Sequence, residues 1–386
     1  MIASPERQRA AAERPQDGSD ATRTVDFDLH GLAGVRLIDP SPADSAAVER
    51  QLGPLRTELR REPDIVVRFV DRLELTAPIR LLGVDDAGFT DEGFLILRSR
   101  HKSKARVLLP LHDVGAQPEI VCERGLAAVP LLIPILNLTV LANGALPLHA
   151  AAFSYEDTGI VATGWSKGGK TESLLAFAAR GARYVADEWA YISGDGARVY
   201  GIPEPVRLWD WHLRQAPHFR DRIGRKRRTR LGALRLAAAT ERPARALRRG
   251  RRGGAVDRVY ALIRGQLHVD AEPESLFGER LPSTTFDRLF FLMTHDSPET
   301  TIEPADPEEI ARRMLFSLQH ERMDLLAAYW KLRFAFPEAA SPLIEAAQLM
   351  ERDRLLEVFR GKQAYLVRHP YPTSLDGLYD AMRRYC

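Results

Sequence analysis

The sequence has only two cysteines, Cys122 and Cys386, among its 386 residues. Two thiols cannot build a disulfide framework, and the Cys and His residues do not follow the spacing of a zinc site. Neither a disulfide scaffold nor a structural zinc site is therefore expected. The low cysteine content is typical of a protein that works in a reducing setting, and we expect a cytoplasmic location.

Long hydrophobic runs are also missing. The most apolar stretch, residues 126–148, contains Pro130, Pro134, Asn137 and Asn143. A membrane-spanning helix needs about 20 predominantly apolar residues, so we interpret this stretch as a buried helix entering the core and expect no membrane partner. Residues 1–24 lack the apolar segment of a signal peptide and are rich in Ala, Arg, Glu and Pro. This composition predicts a disordered tail.

The net charge of the whole chain, +3, is too small to indicate a partner, but positive charge is concentrated in one segment. Residues 220–258 contain fifteen Arg or Lys residues and three acidic ones. We predict a basic mobile loop over about 220–256, with a short helix near 231–240. It could contact an acidic peptide or a triphosphate, or be a solvated surface. We disfavour nucleic acid, because no recognition helix, zinc finger or RNP-type module accompanies the charge.

Two regions differ in their pattern. Residues 25–125 consist of short apolar segments separated by turns, which predicts a β-rich N-terminal domain with strands at 65–70, 94–97 and 106–111 and one helix over about 43–61. In residues 126–386, strand-length runs alternate with helical segments, which predicts an α/β domain. The strands predicted there are 159–163, 184–186, 258–263, 288–293 and 364–367, and the two long helices predicted near the end are 310–333 and 343–359.

The segment Gly164-Trp165-Ser166-Lys167-Gly168-Gly169-Lys170-Thr171 matches the P-loop pattern G-x-x-x-x-G-K-[ST]. An apolar strand precedes it, and a helical segment from Glu172 follows it. Glycines let the backbone N–H groups close around a phosphate, and the helix N-terminus adds its positive dipole end. Lys170 would then contact the β- and γ-phosphates and Thr171 the Mg²⁺. We predict that ATP is bound by Gly164, Ser166, Lys167, Gly168, Gly169, Lys170 and Thr171.

Asp187 and Glu188 follow the short apolar run 184–186, directly after the P-loop helix. We expect this run to return as a strand beside the P-loop strand, with its acids near the γ-phosphate. One carboxylate could then hold Mg²⁺ and the other accept a proton from an attacking hydroxyl. Alternatively, both are solvated acids at the end of a strand. His149 lies among small apolar residues one strand earlier, a setting more typical of a core histidine than of a functional one.

Taken together, these segments resemble the catalytic domain of HPr kinase/phosphorylase and its HPr-kinase-like relatives. The resemblance covers residues 146–192. It is carried by Leu148-His149, by the P-loop with Glu172 directly after Thr171, and by the segment Arg180-Gly181-Ala182-Arg183-Tyr184-Val185-Ala186-Asp187-Glu188. The family typically has Asp where this chain has Glu188, and Gly where it has Ala150. The chain therefore looks more like the HPr-kinase-like proteins than like the HPr kinase itself.

The resemblance implies an HPr kinase/PEP carboxykinase-like P-loop fold with a small β-rich N-terminal domain. It implies that Asp187 is the general base, that His149 lies beside it, that Lys170 holds phosphates, and that Mg²⁺ is held by Thr171, Glu172 and Glu188. The implied reaction is ATP-dependent phosphorylation of a serine or threonine hydroxyl of a peptide or protein. Some relatives are peptide kinases of lasso-peptide pathways. We also expect a homo-oligomer. A nucleotide-binding switch or ATPase, and a kinase of a small-molecule hydroxyl, are the alternatives.

Overall fold

A computed structural model describes residues 22–83, 86–98, 104–241 and 255–386. Most of the predicted tail, residues 1–21, lies outside this part of the chain. Eight strands form an N-terminal sheet in the order β1-β2-β3-β8-β7-β6-β5-β4. They are β1 (Thr24–Leu29), β2 (Ala33–Ile38), β3 (Ile65–Val70), β4 (Arg80–Leu82), β5 (Ala87–Phe89), β6 (Phe94–Arg98), β7 (Lys104–Leu108) and β8 (Glu119–Glu123). This sheet agrees with the β-rich pattern of residues 25–125, although its connections include one helix.

That helix, α1 (Pro42–Leu52), is shorter than the helix predicted over 43–61. It begins with a capping box in which Ser41 and Asp44 exchange hydrogen bonds. Its C-cap residue is Gly53, whose φ of +67° is left-handed, and Pro54 follows. A left-handed glycine and a proline both stop a helix. The helix therefore ends at Leu52, although the sequence pattern favours a helix up to residue 61.

A second sheet contains the P-loop strand and has the order β16-β13-β12-β9-β10-β17-β19-β18, with β11 also paired to β9. Its strands are β9 (Leu146–Tyr155), β10 (Thr158–Gly164), β11 (Arg183–Ala186), β12 (Trp189–Ile192), β13 (Arg198–Gly201), β16 (Ser283–Thr285), β17 (Arg288–His295), β18 (Thr301–Pro304) and β19 (Gln363–Pro370). Strands β10, β17 and β19 are parallel. A separate two-stranded ribbon pairs β14 (Val206–Trp209) with β15 (His268–Ala271).

The helices that cover these sheets are α2 (Leu132–Ala142), α3 (Lys170–Ala178), α4 (Asp210–Gln215), α5 (Pro217–Arg222), α6 (Arg225–Ala239), α7 (Ala255–Gly265), α8 (Pro273–Phe277), α9 (Pro307–Glu321), α10 (Met323–Ala335), α11 (Pro342–Phe359) and α12 (Leu375–Met382). Helix α2 is the buried helix expected within residues 126–148. No helix in the described ranges is long and apolar enough to cross a membrane. The chain is thus of the mixed α/β class.

Two predictions between the P-loop region and the C-terminal helices were wrong. Residues 258–263 are helical within α7, not a strand. A short apolar run fits a strand or a helix equally well by periodicity, and here it packs on α6. Residues 225–239 are not part of a loop but form α6, which contains most of the short helix expected near 231–240 and begins six residues earlier, because its Arg, Leu and Ala residues are good helix formers. Residues 242–254 of the predicted loop lie outside the described residues.

The helix predicted over 310–333 is two helices, α9 and α10, that meet at Arg322. Arg322 is buried and forms an ion pair with Glu351 of α11, which is also buried. An unpaired charge in the interior is very unfavourable, so this pair ties the junction of α9 and α10 to α11. The C-terminal end of α9 is thereby held beside the second sheet.

Candidate functional site

Residues 164–171, which we call the P-loop after their sequence pattern alone, connect the end of β10 to the start of α3, at the carboxyl edge of the three parallel strands. The glycines of the loop are required by their neighbours. A Cβ on Gly164, whose φ is +154°, would lie 2.4 Å from the carbonyl oxygen of Leu292. A Cβ on Gly169, whose φ is +105°, would lie 2.3 Å from Nε2 of His369. Only glycine fits such positions, so Leu292 on β17 and His369 on β19 constrain the path of the loop.

The N-terminus of α3 faces the P-loop without a side-chain cap. Gly169 is the N-cap residue and supplies no side-chain acceptor. The first N–H groups of a helix need partners from outside the helix, and together with the helix dipole they favour an anion. The start of α3 therefore has the donor set and the field that a phosphate group requires.

Lys170 folds back over the loop. Its Nζ donates hydrogen bonds to the carbonyl oxygens of Gly164 (3.3 Å) and Trp165 (3.0 Å). Burial lowers the pKa of Lys170, while the carboxylates of Glu188, Glu321 and Asp187 oppose that shift. The ammonium group thus lies in a buried, acid-lined site. Of the other predicted loop residues, Ser166 is half-buried and Lys167 is exposed.

Asp187 and Glu188 lie in the gap between β11 and β12, which pair with successive parts of β9. The predicted return strand is therefore beside β9, and β9 separates it from the P-loop strand β10. The acids interrupt the strand opposite the middle of β9, where the carbonyl oxygen of Glu188 accepts a hydrogen bond from the N–H of Ala150 (3.2 Å). His149, one residue earlier on β9, consequently lies next to the acid pair, as the sequence predicted.

Asp187 contacts the P-loop helix directly. The Thr171 hydroxyl donates a hydrogen bond to its Oδ1 over 3.0 Å. Asp187 is 5% exposed. Burial, followed by the charge of Glu188, raises the pKa of Asp187 well above its ordinary range, against the lowering effect of the Thr171 hydrogen bond. The Asp187 carboxyl group is thus held at the residue that faces the metal in P-loop proteins.

His149 lies between two carboxylates. Its Nε2 is 3.1 Å from Glu188 and its Nδ1 is 3.0 Å from Glu321, the last residue of α9. Burial lowers the pKa of His149, but Glu188 and Glu321 outweigh this effect and the net shift is upward. The Glu188 side chain is 57% exposed, in contrast to buried Asp187. The core-histidine interpretation of His149 therefore does not account for its two charged partners.

Glu172 has a different partner from the one that its predicted metal role implies. Its Oε1 lies 3.2 Å from Nε2 of His212, and Nδ1 of His212 accepts a hydrogen bond from the backbone N–H of Trp209 (3.1 Å). Burial raises the pKa of Glu172, but the hydrogen bond and charge of His212 outweigh it and the net shift is downward. The contact joins the first turn of α3 to α4. Glu172 therefore links the P-loop helix to α4.

Sequence reasoning missed four further residues at this site. Glu204 lies near the acid pair, and burial followed by the charge of Glu188 raises its pKa to about 8. His369, fully buried near the end of β19, has Nε2 2.9 Å from the carbonyl oxygen of Gly168. His320 stacks on Trp165 with ring centroids 4.9 Å apart. Glu321 is the fourth. All four come from segments far from the P-loop in sequence, and no short motif marks them.

The donor set fits Mg²⁺, which prefers oxygen ligands and uses one or two carboxylates together with substrate phosphates and water. The Thr171 hydroxyl and the carboxylates of Asp187 and Glu188 are such ligands. Within the described ranges, no three His, Cys, Asp or Glu side chains are grouped so that they could hold a metal ion by themselves. A magnesium ion at this site would therefore depend on phosphate oxygens for much of its coordination.

A cavity of about 790 Å³ lies at the C-terminal end of α3, away from the P-loop. Arg180, Arg222 and Glu274 are among the residues that line it. A nine-residue helix is about 13 Å long, and this length separates the cavity from the P-loop.

Comparison of the sequence with models of protein families and with curated proteins finds no match.

Proposed function

We propose that this protein is an ATP-dependent kinase that phosphorylates a serine-type hydroxyl of a peptide or protein. The observation that carries the proposal is the contact between Thr171 and Asp187 at the start of an uncapped P-loop helix. A carboxylate beside Thr171 would lie near the γ-phosphate of a nucleotide bound at this loop, which supports the proposal. The likeness of residues 146–192 to the HPr-kinase-like proteins supports the same reaction class.

In the proposed reaction, the loop N–H groups and Lys170 hold the triphosphate, and Thr171 helps to hold Mg²⁺. The ion neutralises phosphate charge when it is bound. The acceptor oxygen attacks the γ-phosphorus while its proton passes to Asp187. The bond from the γ-phosphorus to the bridging oxygen breaks, and ADP leaves. Positioning and charge neutralisation supply most of the rate in such transfers.

The roles of the two acids can also be exchanged, with Asp187 as a metal ligand and Glu188 as the proton acceptor. Asp187 is buried against Thr171, which suits a metal-side carboxylate, whereas Glu188 is more exposed and pairs with His149. Parallel measurements on Asp187→Asn and Glu188→Gln separate the two roles. The variant of the proton acceptor should lose turnover with unchanged Mg²⁺ dependence. The variant of the metal-side acid should need a higher Mg²⁺ concentration for half-maximal rate.

The basic helix α6 is connected to the site through α4. Arg235 of α6 forms an ion pair with Asp210, the first residue of α4, and α4 carries His212. Arg225, Lys226 and Arg228 are exposed on α6. Exposed positive charge on one helix raises the local concentration of acidic partners. An acidic peptide segment therefore fits the proposed acceptor better than a basic one.

The test is transfer of label from [γ-³²P]ATP in the presence of Mg²⁺ and a library of serine peptides with acidic or basic flanks. A matched library with alanine in place of serine is the control. The proposal expects label in the serine peptides only, with a preference for acidic flanks. Label that appears solely as inorganic phosphate would instead support the second candidate, a nucleotide-dependent switch or ATPase. The same P-loop and acid pair are compatible with that function.

A further inference from the structure

The imidazole ring of His149 is held from three directions. Glu188 faces Nε2, Glu321 faces Nδ1, and the indole of Trp189 lies over the ring with centroids 5.8 Å apart. The side chain of His149 is only 6% exposed. Nε2 is hydrogen-bonded to Glu188, whereas Nδ1 is in an ion-pair contact of 3.0 Å with Glu321 and has no hydrogen-bond partner among the described residues. A flip of the ring would exchange both nitrogens with ring carbons and so lose both carboxylate contacts.

Glu321 reaches His149 because the end of α9 is anchored. The next residue, Arg322, is buried in its ion pair with Glu351 of α11. Glu321, Arg322, Glu351 and Trp189 border one small cavity of about 20 Å³, enough for about one water molecule. Nε of Arg322 and Oε2 of Glu351 are buried and have no hydrogen-bond partner in the structure. The Glu321 carboxylate is thus carried on backbone that a buried ion pair fixes.

We propose that Glu321 is a positioning residue that acts through His149 on Glu188. By holding Nδ1, Glu321 keeps Nε2 of His149 on the Glu188 carboxylate and so keeps that carboxylate beside Lys170. This inference rests on the proposed kinase function for its catalytic consequence, but the contact itself does not. Partners that orient a ligand or an acid in this way typically change activity by roughly 10–100-fold when they are removed.

The experiment compares Glu321→Ala, Glu321→Gln and the control Glu309→Ala. Glu309 is on the same helix, where it is exposed and forms an ion pair with Arg313 one turn away. Glu321→Ala should lower kcat by roughly 10–100-fold with little change in KM for ATP. Glu321→Gln keeps an acceptor oxygen for Nδ1 and should recover much of the loss. Glu309→Ala should behave as the wild type.

A second readout does not depend on phosphoryl transfer. The ¹⁵N signals of the His149 ring, recorded in the nucleotide-free protein, should shift at Nδ1 in Glu321→Ala and stay unchanged in Glu309→Ala. An unchanged His149 spectrum would overturn the contact. A shifted spectrum with wild-type kcat would overturn the positioning role. If the wild type transfers no phosphoryl group at all, the kinase proposal fails, and the ¹⁵N spectrum still decides whether Glu321 holds His149.

Discussion

The hydroxyl of Thr171 donates a 3.0 Å hydrogen bond to Oδ1 of Asp187. The two residues are sixteen positions apart, and the contact joins the first turn of α3 to the gap between β11 and β12. This contact brings together two segments of the sequence, neither of which indicates phosphoryl transfer by itself. A P-loop indicates nucleotide binding, and a carboxylate beside it adds a group that can hold the metal or accept a proton.

Replacing Asp187 by Asn should separate activity from stability. Burial and the charge of Glu188 raise the pKa of Asp187, so ionising this carboxyl group is less favourable in the folded protein than in the unfolded chain, and the resulting loss of stability grows as the pH rises above the ordinary pKa of Asp. A neutral amide removes this cost. We expect Asp187→Asn to bind ATP with near-wild-type affinity, lose at least about 100-fold in turnover, and show a Tm that is higher by a few degrees.

Calorimetric titration with ATP, a turnover assay and a thermal melt at pH 7.5 make these three measurements. A variant that keeps near-wild-type turnover would rule out Asp187 as the base. A lower Tm would contradict the electrostatic account of its buried carboxyl group. Asp376→Asn is the matched control, because Asp376 is exposed and pairs with Arg180 at the surface.

Gly169→Ala tests whether the neighbouring strand fixes the shape of the P-loop. The added Cβ would lie 2.3 Å from Nε2 of buried His369, at a φ of +105°. We expect a fall of about 1–3 kcal/mol in the free energy of unfolding and at least a tenfold weaker affinity for ATP. Chemical denaturation and nucleotide titration measure both effects.

Gly232 provides the control, since it lies on α6 with open space around its Cα. Gly232→Ala should raise the free energy of unfolding by about 0.5–1 kcal/mol, the difference between the helix propensities of Ala and Gly, and leave ATP affinity unchanged. If Gly169→Ala behaved like Gly232→Ala, the proposed cradle would not depend on His369.

The pKa of Glu204 makes stability depend on pH. Burial and the charge of Glu188 raise this pKa to about 8 in the folded protein, compared with about 4.3 for an unperturbed Glu. The folded state therefore holds a proton that the unfolded state releases. The stabilising contribution of that proton is complete below pH 4 and is lost as the pH rises to 8.

Glu204→Gln should keep the neutral form at every pH. Urea denaturation should show that the free energy of unfolding falls less between pH 6 and pH 9 for the variant than for the wild type. Equal pH dependence of the two proteins would show that Glu204 releases its proton at an ordinary pKa when folded.

The sequence was most informative where a feature lies within one continuous segment. The strand, glycine turn and helix around Lys170 follow one another in the chain, and the strands 65–70 and 288–293 have clear apolar patterns with turn residues at their ends. Residues 258–263 misled because a six-residue apolar run does not distinguish a strand from a helix. Only its packing on α6 decides the matter.

The site itself could be predicted only in part. His149, Asp187 and Glu188 were placed together through the resemblance, since their strands are close in sequence. Glu321 and His369 reach the same site from α9 and from the end of β19. These contacts depend on the order of strands in the sheet and on the Arg322–Glu351 ion pair. The residues next to Glu321 and His369 in the sequence do not indicate either of these features. The partner of Glu172, His212, was missed for the same reason.

The most direct test of the central claim is phosphoryl transfer by Lys170→Ala. Lys170 is the buried cation of the site, and removing it takes away the charge that would neutralise the β- and γ-phosphates. Lys104→Ala, at an exposed position of the N-terminal sheet, is the control. With [γ-³²P]ATP and serine peptides, the account predicts labelled peptide for the wild type and Lys104→Ala, and at least a 100-fold loss for Lys170→Ala. Equal labelling by all three proteins would contradict the account.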